Sequence, residues 1–486
     1  MTASAPNREA GANVASAASR DTADSRRRTI EFGLAGLVIA LIFGLGLILP
    51  LPFWHAQPAA PAATSQPPVS GLGWAGALLA IGFALVLCAP YRPYILAMRA
   101  ARQVPLRALL LITAALAVVA LLIYPAFGSD VFVYLDYERL FAVYGANPLL
   151  AFPNLHPEDW AYHFTWIPEQ PSPYGPLWPL LTWPIARFAG DNLELWIVGY
   201  KALSLLSYVV CGWLIWSSVE ADRRKRALVT FAWSPLVLFD LLGKAHNDGL
   251  LAVSLLAAVW LARRSAATSL VSATAGMLIK LSGFAVLLSV GLLLSRERRW
   301  RALVLGGLLG LGISVALYAP FWVGPRTLEP VLFQTNRVVW SPGALLIALG
   351  ANSLLTRAAC AAAWLGVCVL VARRGSQLAE MVWTVQVASL LLLTSAFFAH
   401  YLVPVVALAA VAGNPRLERL TLALSIGALA AYAVELLAPA FDVGWIGSPA
   451  YQALGSLLTC APVAALLLTQ AGRRLWTRQA RLQPQL

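Results

Sequence analysis

The residue best suited to chemistry in this sequence is an aspartate at the start of a predicted helix. Asp130 follows a long apolar run and opens the segment Asp-Val-Phe-Val-Tyr-Leu-Asp-Tyr. A helix beginning here would carry Tyr134, Tyr137 and Phe141 on the face of Asp130, and the Gly-Ala-Asn-Pro segment with Asn147 would end it. Asp130 could cap this helix, take a proton from a hydroxyl group as a general base, or do both.

A second group of polar residues stands between two apolar runs, in the segment Gly-Lys-Ala-His-Asn-Asp. It contains Lys244, His246, Asn247 and Asp248. Polar groups crowded into an apolar region are expensive unless they are used, although a polar turn with Asp248 capping the next helix would have the same composition. His246 and Asp248 are also metal-ligand types, but no further ligand stands near them. We therefore expect a binding role here and no bound metal.

Three more cations are candidates for holding an anionic group. Lys280 lies in the apolar segment Met-Leu-Ile-Lys-Leu, Arg337 in a loop, and His400 in Phe-Phe-Ala-His-Tyr. Each could contact a phosphate, as could Lys244. The alternative for Lys280 is that its side chain only extends to the membrane surface.

The composition is that of a membrane protein. The chain has 486 residues, 59% hydrophobic and 12% charged, with a mean hydropathy of +0.72, whereas soluble domains carry about 25% charged residues. The net charge of +13 suits nucleic-acid binding, but the basic residues are spaced between apolar segments, as topology signals are. We therefore expect a chain embedded in a lipid bilayer, with no nucleic-acid partner.

The apolar runs predict an all-α protein with about fourteen transmembrane helices, since each crossing takes roughly 20 residues. The predicted spans are 32–53, 71–89, 108–127, 195–216, 227–242, 249–262, 266–280, 282–295, 302–323, 356–372, 381–398, 402–413, 420–437 and 454–471. Arginine clusters between them place both termini in the cytoplasm of a multi-pass plasma-membrane protein. The shorter runs must be re-entrant or sheltered by neighbouring helices.

One further apolar run, 176–189, decides the topology. It is short and contains three prolines, so we predict that it lies on or dips into the membrane without crossing it. Residues 128–194 then form one long outer loop, and the basic cluster at 222–226 falls in the cytoplasm.

The predicted organisation follows from this topology. It comprises a disordered cytoplasmic tail (1–25), three N-terminal transmembrane helices (26–127), an extracytoplasmic catalytic loop with a juxtamembrane helix (128–194), a transmembrane module (195–323), a second extracytoplasmic loop (324–355), a C-terminal transmembrane bundle (356–473) and a cytoplasmic tail (474–486).

The long outer loop is rich in carboxylates and aromatic side chains, the combination that binds sugar rings. The candidates for contacting an acceptor or a sugar, in this loop and in the polar segment after it, are Tyr134, Asp136, Tyr137, Asn147, Tyr174, His246, Asn247 and Asp248.

These motifs resemble those of the GT-C glycosyltransferases, and more closely those of the polyprenol-phosphate-mannose-dependent alpha-1,6-mannosyltransferases. The matching segments are Ser129-Asp130-Val-Phe-Val-Tyr134, Tyr144-Gly145-Ala-Asn147-Pro148, Ser172-Pro-Tyr174-Gly175-Pro176-Leu177-Trp178, Ser234-Pro235-Leu236-Val237-Leu238 and His246-Asn247-Asp248, together with Lys280. The resemblance covers most of the chain from about residue 30. Late in the chain, where the family tends to have a Trp-Tyr segment, this sequence has Phe397-Phe-Ala-His400-Tyr401-Leu-Val-Pro404.

The resemblance implies an enzyme that moves a hexose, with mannose expected, from a polyprenyl-phosphate donor to a glycan or glycolipid outside the cell membrane. It implies an inverting displacement with Asp130 as the general base, and donor-phosphate binding by Lys280, Lys244, Arg337 and His400. No cofactor is required. The alternatives are a transferase for another lipid-linked sugar and, from a different class, a transporter or lipid flippase. Transporters place charges near the membrane midplane in repeated halves, and no such repeat is visible in this sequence.

Overall fold

A computed structural model describes residues 8–50, 71–125, 130–164, 168–330, 339–374, 377–394, 396–440 and 448–482, and the side chains of these residues except those of 8–24, 163, 438–439 and 470–482. Within these ranges the chain is helical and forms no strand. Two isolated bridges join described residues, Tyr174 with Lys280 and Val339 with Ala396. The predicted all-α class is confirmed.

The helices run in the order of the predicted apolar segments. They are α1 (Arg8–Phe43), α2 (Gly73–Cys88), α3 (Tyr91–Ala100), α4 (Leu106–Leu121), α5 (Asp130–Ala142), α6 (Leu177–Ala189), α7 (Leu193–Ser218), α8 (Arg224–Ala232), α9 (Asp248–Ala262), α10 (Ala266–Ile279), α11 (Phe284–Arg296), α12 (Trp300–Tyr318), α13 (Pro342–Ala348), α14 (Ser353–Arg374), α15 (Leu378–Ala388), α16 (Val403–Ala412), α17 (Pro415–Ala440) and α18 (Pro449–Leu482). Short π-helical turns continue α1 at Gly44–Ile48 and α15 at Ser389–Leu393, and a third occupies Val237–Gly243.

The predicted count of about fourteen membrane spans is not confirmed. Among the described residues, seven helical segments are long and apolar enough to cross a membrane, or eight if α8 and the following π-helical turn form one bent span. The remaining apolar helices have only 10–17 residues. They are α4, α9, α10, α11, α15 and α16, with the short turns that extend the last three. A crossing takes roughly 20 residues, so the sequence pattern located these helices without showing that each crosses.

A sharp bend interrupts the chain after α8. The helix and the π-helical turn Val237–Gly243 meet at 62°, and Pro235 stands in the break, where it has no N–H to donate to a continuous helix. The bend redirects the chain so that Asp240 and the following hairpin approach Asp130, at the start of α5.

The segment between α4 and α7 contains the helices α5 and α6. Neither α5 nor α6 is long enough to be a candidate span, and α6 contains Pro184. Helix α5 packs against α6, which in turn packs against α7. As predicted, α5 begins at Asp130 and ends shortly before Gly145, whose φ of 64° suits glycine.

A buried arginine connects three parts of this segment through ion pairs. Arg139 of α5 forms a bidentate pair with Asp159, at 2.9 Å from Nε to Oδ1 and 2.8 Å from Nη2 to Oδ2. Its Nη1 also donates to Asp191 at 2.7 Å, and Tyr144 donates to Asp159 at 2.9 Å. The indole N–H of Trp160 and the guanidinium of Arg139 hold the pKa of Asp191 below its usual range. Against the effect of burial, the guanidinium also lowers the pKa of Asp159. Helix α5 is thereby fixed in position relative to the start of α7.

Candidate active site

Asp130 lies at the centre of a polar cluster drawn from five parts of the chain. Its Oδ2 accepts hydrogen bonds from the hydroxyls of Tyr174, at 3.1 Å, and Tyr134, at 3.4 Å. The same oxygen is 3.8 Å from Nδ1 of His246 and 3.9 Å from Nε2 of His400. Two tyrosines and two imidazoles therefore converge on one carboxylate oxygen.

Tyr174 reaches Asp130 because the Pro-Tyr-Gly-Pro segment docks on the end of α10. The backbone N–H of Gly175 donates to the carbonyl of Ile279 at 3.0 Å, and Tyr174 pairs with Lys280 in an antiparallel bridge. A Cβ on Gly175 would lie 2.2 Å from the carbonyl oxygen of Leu278, so only glycine permits this approach.

A buried lysine stabilises the polar hairpin between the π-helical turn Val237–Gly243 and α9. The ammonium of Lys201 donates to the carbonyls of Ile123 at 2.8 Å, Leu242 at 3.2 Å and Gly243 at 2.6 Å. Ala245, with φ of 57°, is one of few non-glycine residues in the left-handed region, and backbone strain of this kind is concentrated at functional sites. The hairpin thus presents His246 and Asn247 to Asp130 in a fixed conformation.

His246 lies between two carboxylates. Its Nδ1 faces Asp130, and its Nε2 is 3.8 Å from Oδ1 of Asp240. Asp240 is fully buried and accepts a hydrogen bond of 2.8 Å from the hydroxyl of Tyr432. Asp130, His246, Asp240 and Tyr432 therefore form a line of ionisable groups that runs from the start of α5 to α17.

His400 stacks on His246, with ring centroids 3.9 Å apart and planes inclined by 11°. Asp130, His246 and His400 offer three donor atoms within 4.8 Å of one another, the types that bind a metal ion. An ion held by both histidines would have to lie in the plane of each ring, where the nitrogen lone pair points. Two stacked rings direct these lone pairs along parallel planes, so one ring would have to rotate before both could bind the same ion.

Lys280 forms a bidentate pair with Asp248, at 3.1 and 2.9 Å from its ammonium to the two carboxylate oxygens. The ammonium also lies 4.3 Å from the centre of the Tyr401 ring.

Burial alone would raise the pKa of Asp130, but His246 and the ammonium groups of Lys280 and Lys244 outweigh it and hold the pKa at about 2. Asp130 is therefore ionised throughout the physiological pH range.

The side chains at the open edge of the cluster are more exposed than those in its interior. The side chains of Asp130 and Lys280 are 17% and 12% exposed, whereas those of Asp240, His246 and Asp248 are at most 1% exposed. A molecule that approaches the cluster therefore meets the carboxylate of Asp130 and the ammonium of Lys280 first.

Most of the residues selected from the sequence come together here. They are Asp130, Tyr134, Tyr174, His246, Asn247, Asp248, Lys280 and His400, and Tyr134 also accepts a hydrogen bond of 3.2 Å from the backbone N–H of Asn247. Lys244 lies behind them, with its ammonium 4.5 Å from the centre of the Tyr432 ring.

Three selected residues take part in other contacts, and a fourth is not described. Asp136 is buried in α5 near Asp159. The hydroxyl of Tyr137 donates to the carbonyl of Gln170 at 2.8 Å, and Asn147 donates to the carbonyl of Phe321 at 2.7 Å. A sugar-contacting role for these three stays a prediction. Arg337 lies outside the described residues.

Two functional-site residues, Lys201 and Asp240, were not selected from the sequence. Each is a charged side chain within an apolar run, Lys201 in α7 and Asp240 in Val-Leu-Phe-Asp-Leu-Leu. A charge inside an apolar segment is itself a sign of function, so the signal was present. The partners of these two side chains were not visible in the sequence, because they lie in other parts of the chain.

Two proteins of known activity match parts of this chain. The chain is 28% identical over 218 residues to alpha-(1->6)-mannopyranosyltransferase B of Corynebacterium glutamicum, an alignment that covers 40% of this chain and 36% of the relative. It is 32% identical over 94 residues to alpha-(1->6)-mannopyranosyltransferase A of the same organism, over 18% of this chain and 19% of the relative. The alignments thus span about a third and a fifth of these relatives. No solved structure matches the chain.

A family model supplies the broader match. The model described as alpha-(1->6)-mannopyranosyltransferase, N-terminal domain, matches residues 30–296, more than half of the chain. The matched region contains Asp130, Tyr174, His246 and Lys280, and it ends before His400. The chain therefore belongs to the alpha-(1->6)-mannopyranosyltransferase family.

Proposed function

We propose that this chain transfers a mannosyl group from a polyprenyl-phosphate donor to a hydroxyl group of a glycan or glycolipid acceptor. The family supports the transferred sugar, since both relatives are named as mannopyranosyltransferases. The candidate membrane-spanning helices support a donor that arrives through the bilayer. The observation that carries the proposal is the ionised, partly exposed carboxylate of Asp130, which shares the open edge of the cluster with the ammonium of Lys280.

In the proposed reaction Asp130 is the general base. The acceptor hydroxyl attacks the anomeric carbon of the donor sugar from the face opposite the phosphate, its oxygen bonds to that carbon, and its proton passes to the Asp130 carboxylate. The bond between the carbon and the phosphate oxygen breaks, which inverts the configuration. Tyr134 and Tyr174 keep the carboxylate directed towards the acceptor.

Lys280 is proposed to stabilise the departing phosphate. An ammonium group has three N–H donors, and the two contacts with Asp248 leave one for a phosphate oxygen. Phosphate leaves as an anion, so no general acid is needed. His400 is a second candidate, because it lies 3.9 Å from Asp130 and 4.0 Å from Asp248.

His246 is proposed to position Asp130 and to disperse the proton that Asp130 accepts. Its place between Asp130 and Asp240 lets an imidazolium interact with carboxylates on both sides. This role differs from the sugar contact predicted from the sequence, and the burial of His246 supports it.

We propose that the reaction needs no metal ion, because the stacked rings of His246 and His400 do not direct their lone pairs to a common point. Transfer by the purified protein should then be unchanged by EDTA. A loss of transfer that Mn²⁺, Mg²⁺ or Zn²⁺ restores would contradict this proposal.

The site is proposed to face the outside of the cell membrane, with both termini in the cytoplasm. A single cysteine at Glu194, an exposed position near the start of α7, introduced into a chain whose five natural cysteines are replaced, should react with an impermeant maleimide in intact cells. Labelling only after permeabilisation would place this segment inside and contradict the topology.

Donor choice tests the proposed function as a whole. Purified protein in liposomes would receive radiolabelled mannose either as polyprenyl-phosphate mannose or as GDP-mannose, with a mannan oligosaccharide as acceptor. Label should move to the oligosaccharide only from the polyprenyl donor. Transfer from GDP-mannose alone would contradict the proposed donor, and transport of the lipid-linked sugar without transfer would favour a flippase.

A further inference from the structure

A cavity of about 260 Å³ opens at the end of the helix bundle that lies away from Asp130. It is bounded by α3, α8, α16 and α17. Two of these elements lead to the active site: α8 continues through the bend towards Asp240, and α16 begins three residues after His400. The cavity and the Asp130 cluster thus occupy opposite ends of the same helices.

The mouth of the cavity is basic. Three arginines line it, Arg99, Arg226 and Arg419, against one acidic residue, Glu418. Arg226 pairs with Glu418, with Nη1 2.8 Å from Oε1. Arg99 and Arg419 are exposed, and the Nε of Arg419 donates to the carbonyl of Pro415 at 3.0 Å. An anion at the mouth would therefore be attracted by two guanidinium groups.

The inner end of the cavity carries buried hydroxyls. Tyr91 and Ser425 line it, and their side chains are 4% and 1% exposed. Tyr91 Oη and Ser425 Oγ lie close to each other, and neither makes a hydrogen bond of normal length and angle with a described residue. Buried polar groups are normally hydrogen-bonded, so two hydroxyls left over at one cavity indicate a ligand that accepts hydrogen bonds.

The walls of the cavity add an apolar component. Ile95, Met98 and Leu422 line it and are half-buried. An amphiphile with a phosphate group fits this cavity better than a free ion does. Its phosphate would meet the arginines at the mouth, and its other parts would meet the inner hydroxyls and the aliphatic walls.

We propose that this cavity binds the phosphate headgroup of an anionic lipid from the adjoining leaflet. Arg99 and Arg419 contact the phosphate oxygens, the hydroxyls of Tyr91 and Ser425 donate to the inner part of the headgroup, and Ile95, Met98 and Leu422 pack along the first methylene groups. The site is separate from the Asp130 cluster and does not depend on transferase activity.

The test measures lipid retention by the full-length protein in native mass spectrometry. Phosphatidylglycerol, phosphatidylcholine, a polyprenyl phosphate and inorganic phosphate would be added separately to detergent-purified protein. The wild type should retain phosphatidylglycerol or the polyprenyl phosphate, and these two arms identify the lipid. Retention of inorganic phosphate without either lipid, or of phosphatidylcholine as strongly as the anionic lipids, would overturn the proposal.

Two double variants localise the binding. Arg99→Gln with Arg419→Gln should weaken retention about 25-fold, since each basic residue near an anionic lipid contributes roughly fivefold. The matched control, Arg92→Gln with Arg416→Gln, changes exposed arginines on the same two helices that do not line the cavity, and it should bind as the wild type does. Equal losses in the two double variants would overturn the proposal.

Two single variants separate this site from folding and from transfer. Tyr91→Phe removes only a hydroxyl and should lower retention several-fold at an unchanged unfolding temperature. Asp130→Asn should retain the lipid normally even though it is expected to be inactive in transfer. Loss of lipid binding in Asp130→Asn would assign the lipid to the transfer site and contradict a separate cavity.

Discussion

The hydroxyl of Tyr174 donates a 3.1 Å hydrogen bond to Oδ2 of Asp130, across 44 positions of sequence. This contact joins two sequence motifs, one at the start of α5 and the other before α6. It depends on the close approach of Gly175 to α10, which brings Lys280 into the same group.

Tyr174→Phe should lower kcat for transfer about tenfold while KM for the donor changes little. A hydrogen bond to a charged group contributes about 1.5–3 kcal/mol, and 1.4 kcal/mol corresponds to a factor of ten. Steady-state transfer with a polyprenyl-phosphate sugar measures both parameters. Tyr162→Phe is the control, because that hydroxyl donates to Asn154 at an exposed site. Equal kcat values for wild type and Tyr174→Phe would show that the contact does not matter for catalysis.

Gly175→Ala should disrupt the site even though it adds a single methyl group. The new Cβ would lie 2.2 Å from the carbonyl oxygen of Leu278, so the Pro-Tyr-Gly-Pro segment must move away and Tyr174 must leave Asp130. We expect a lower unfolding temperature and most of the transfer activity lost. Gly82→Ala, in the helix α2, meets no atom within 4 Å and should behave as the wild type. A Gly175→Ala protein with normal stability and activity would contradict the docking described here.

Lys280→Met should destabilise the protein more than the double variant Lys280→Met with Asp248→Asn. Removing one member of a buried ion pair leaves the other uncompensated, at a cost of about 3–5 kcal/mol, whereas replacing both avoids that cost. Thermal unfolding in detergent compares the four proteins of the cycle. Additive losses in the double variant would mean that Lys280 and Asp248 act independently.

Glu138 makes the stability of the protein depend on pH. Burial raises the pKa of Glu138 from 4.5 to about 8, although Thr182 donates to its Oε2. The folded chain holds this proton up to about pH 8, whereas the unfolded chain releases it near pH 4.5. The protonated carboxyl therefore makes its full contribution to the free energy of unfolding below pH 4.5, and this contribution is lost as the pH rises through about 8.

Glu138→Gln should accordingly lose less stability than the wild type between pH 6 and pH 9. Asp136, whose pKa burial raises to about 7, remains in the variant, so the slope should be reduced without disappearing. Unfolding temperatures across this pH range provide the measurement. Parallel pH curves for the two proteins would contradict a raised pKa at Glu138.

The helices were predictable from sequence because long apolar runs determine them locally. The number of crossings was not, since a 14-residue apolar helix such as α10 has the same composition whether it spans, re-enters or is sheltered by other helices. In the candidate site, Asp130 and His246 were recognisable as polar residues next to apolar runs. Asp240 and Lys201 were missed, because their importance depends on contacts between helices that no local pattern records.

The direct test of the central claim is transfer of radiolabelled mannose from a polyprenyl-phosphate donor by membranes that contain equal amounts of wild type, Asp130→Asn and Glu158→Gln. Asp130→Asn keeps the shape of the side chain but removes the base, and a positioned general base contributes about 10²–10⁴-fold to rate. We predict that it loses at least a hundredfold in rate, while Glu158→Gln, a change to an exposed carboxylate between α5 and α6, keeps normal activity. Wild-type transfer by Asp130→Asn would contradict the assignment of Asp130 as the general base.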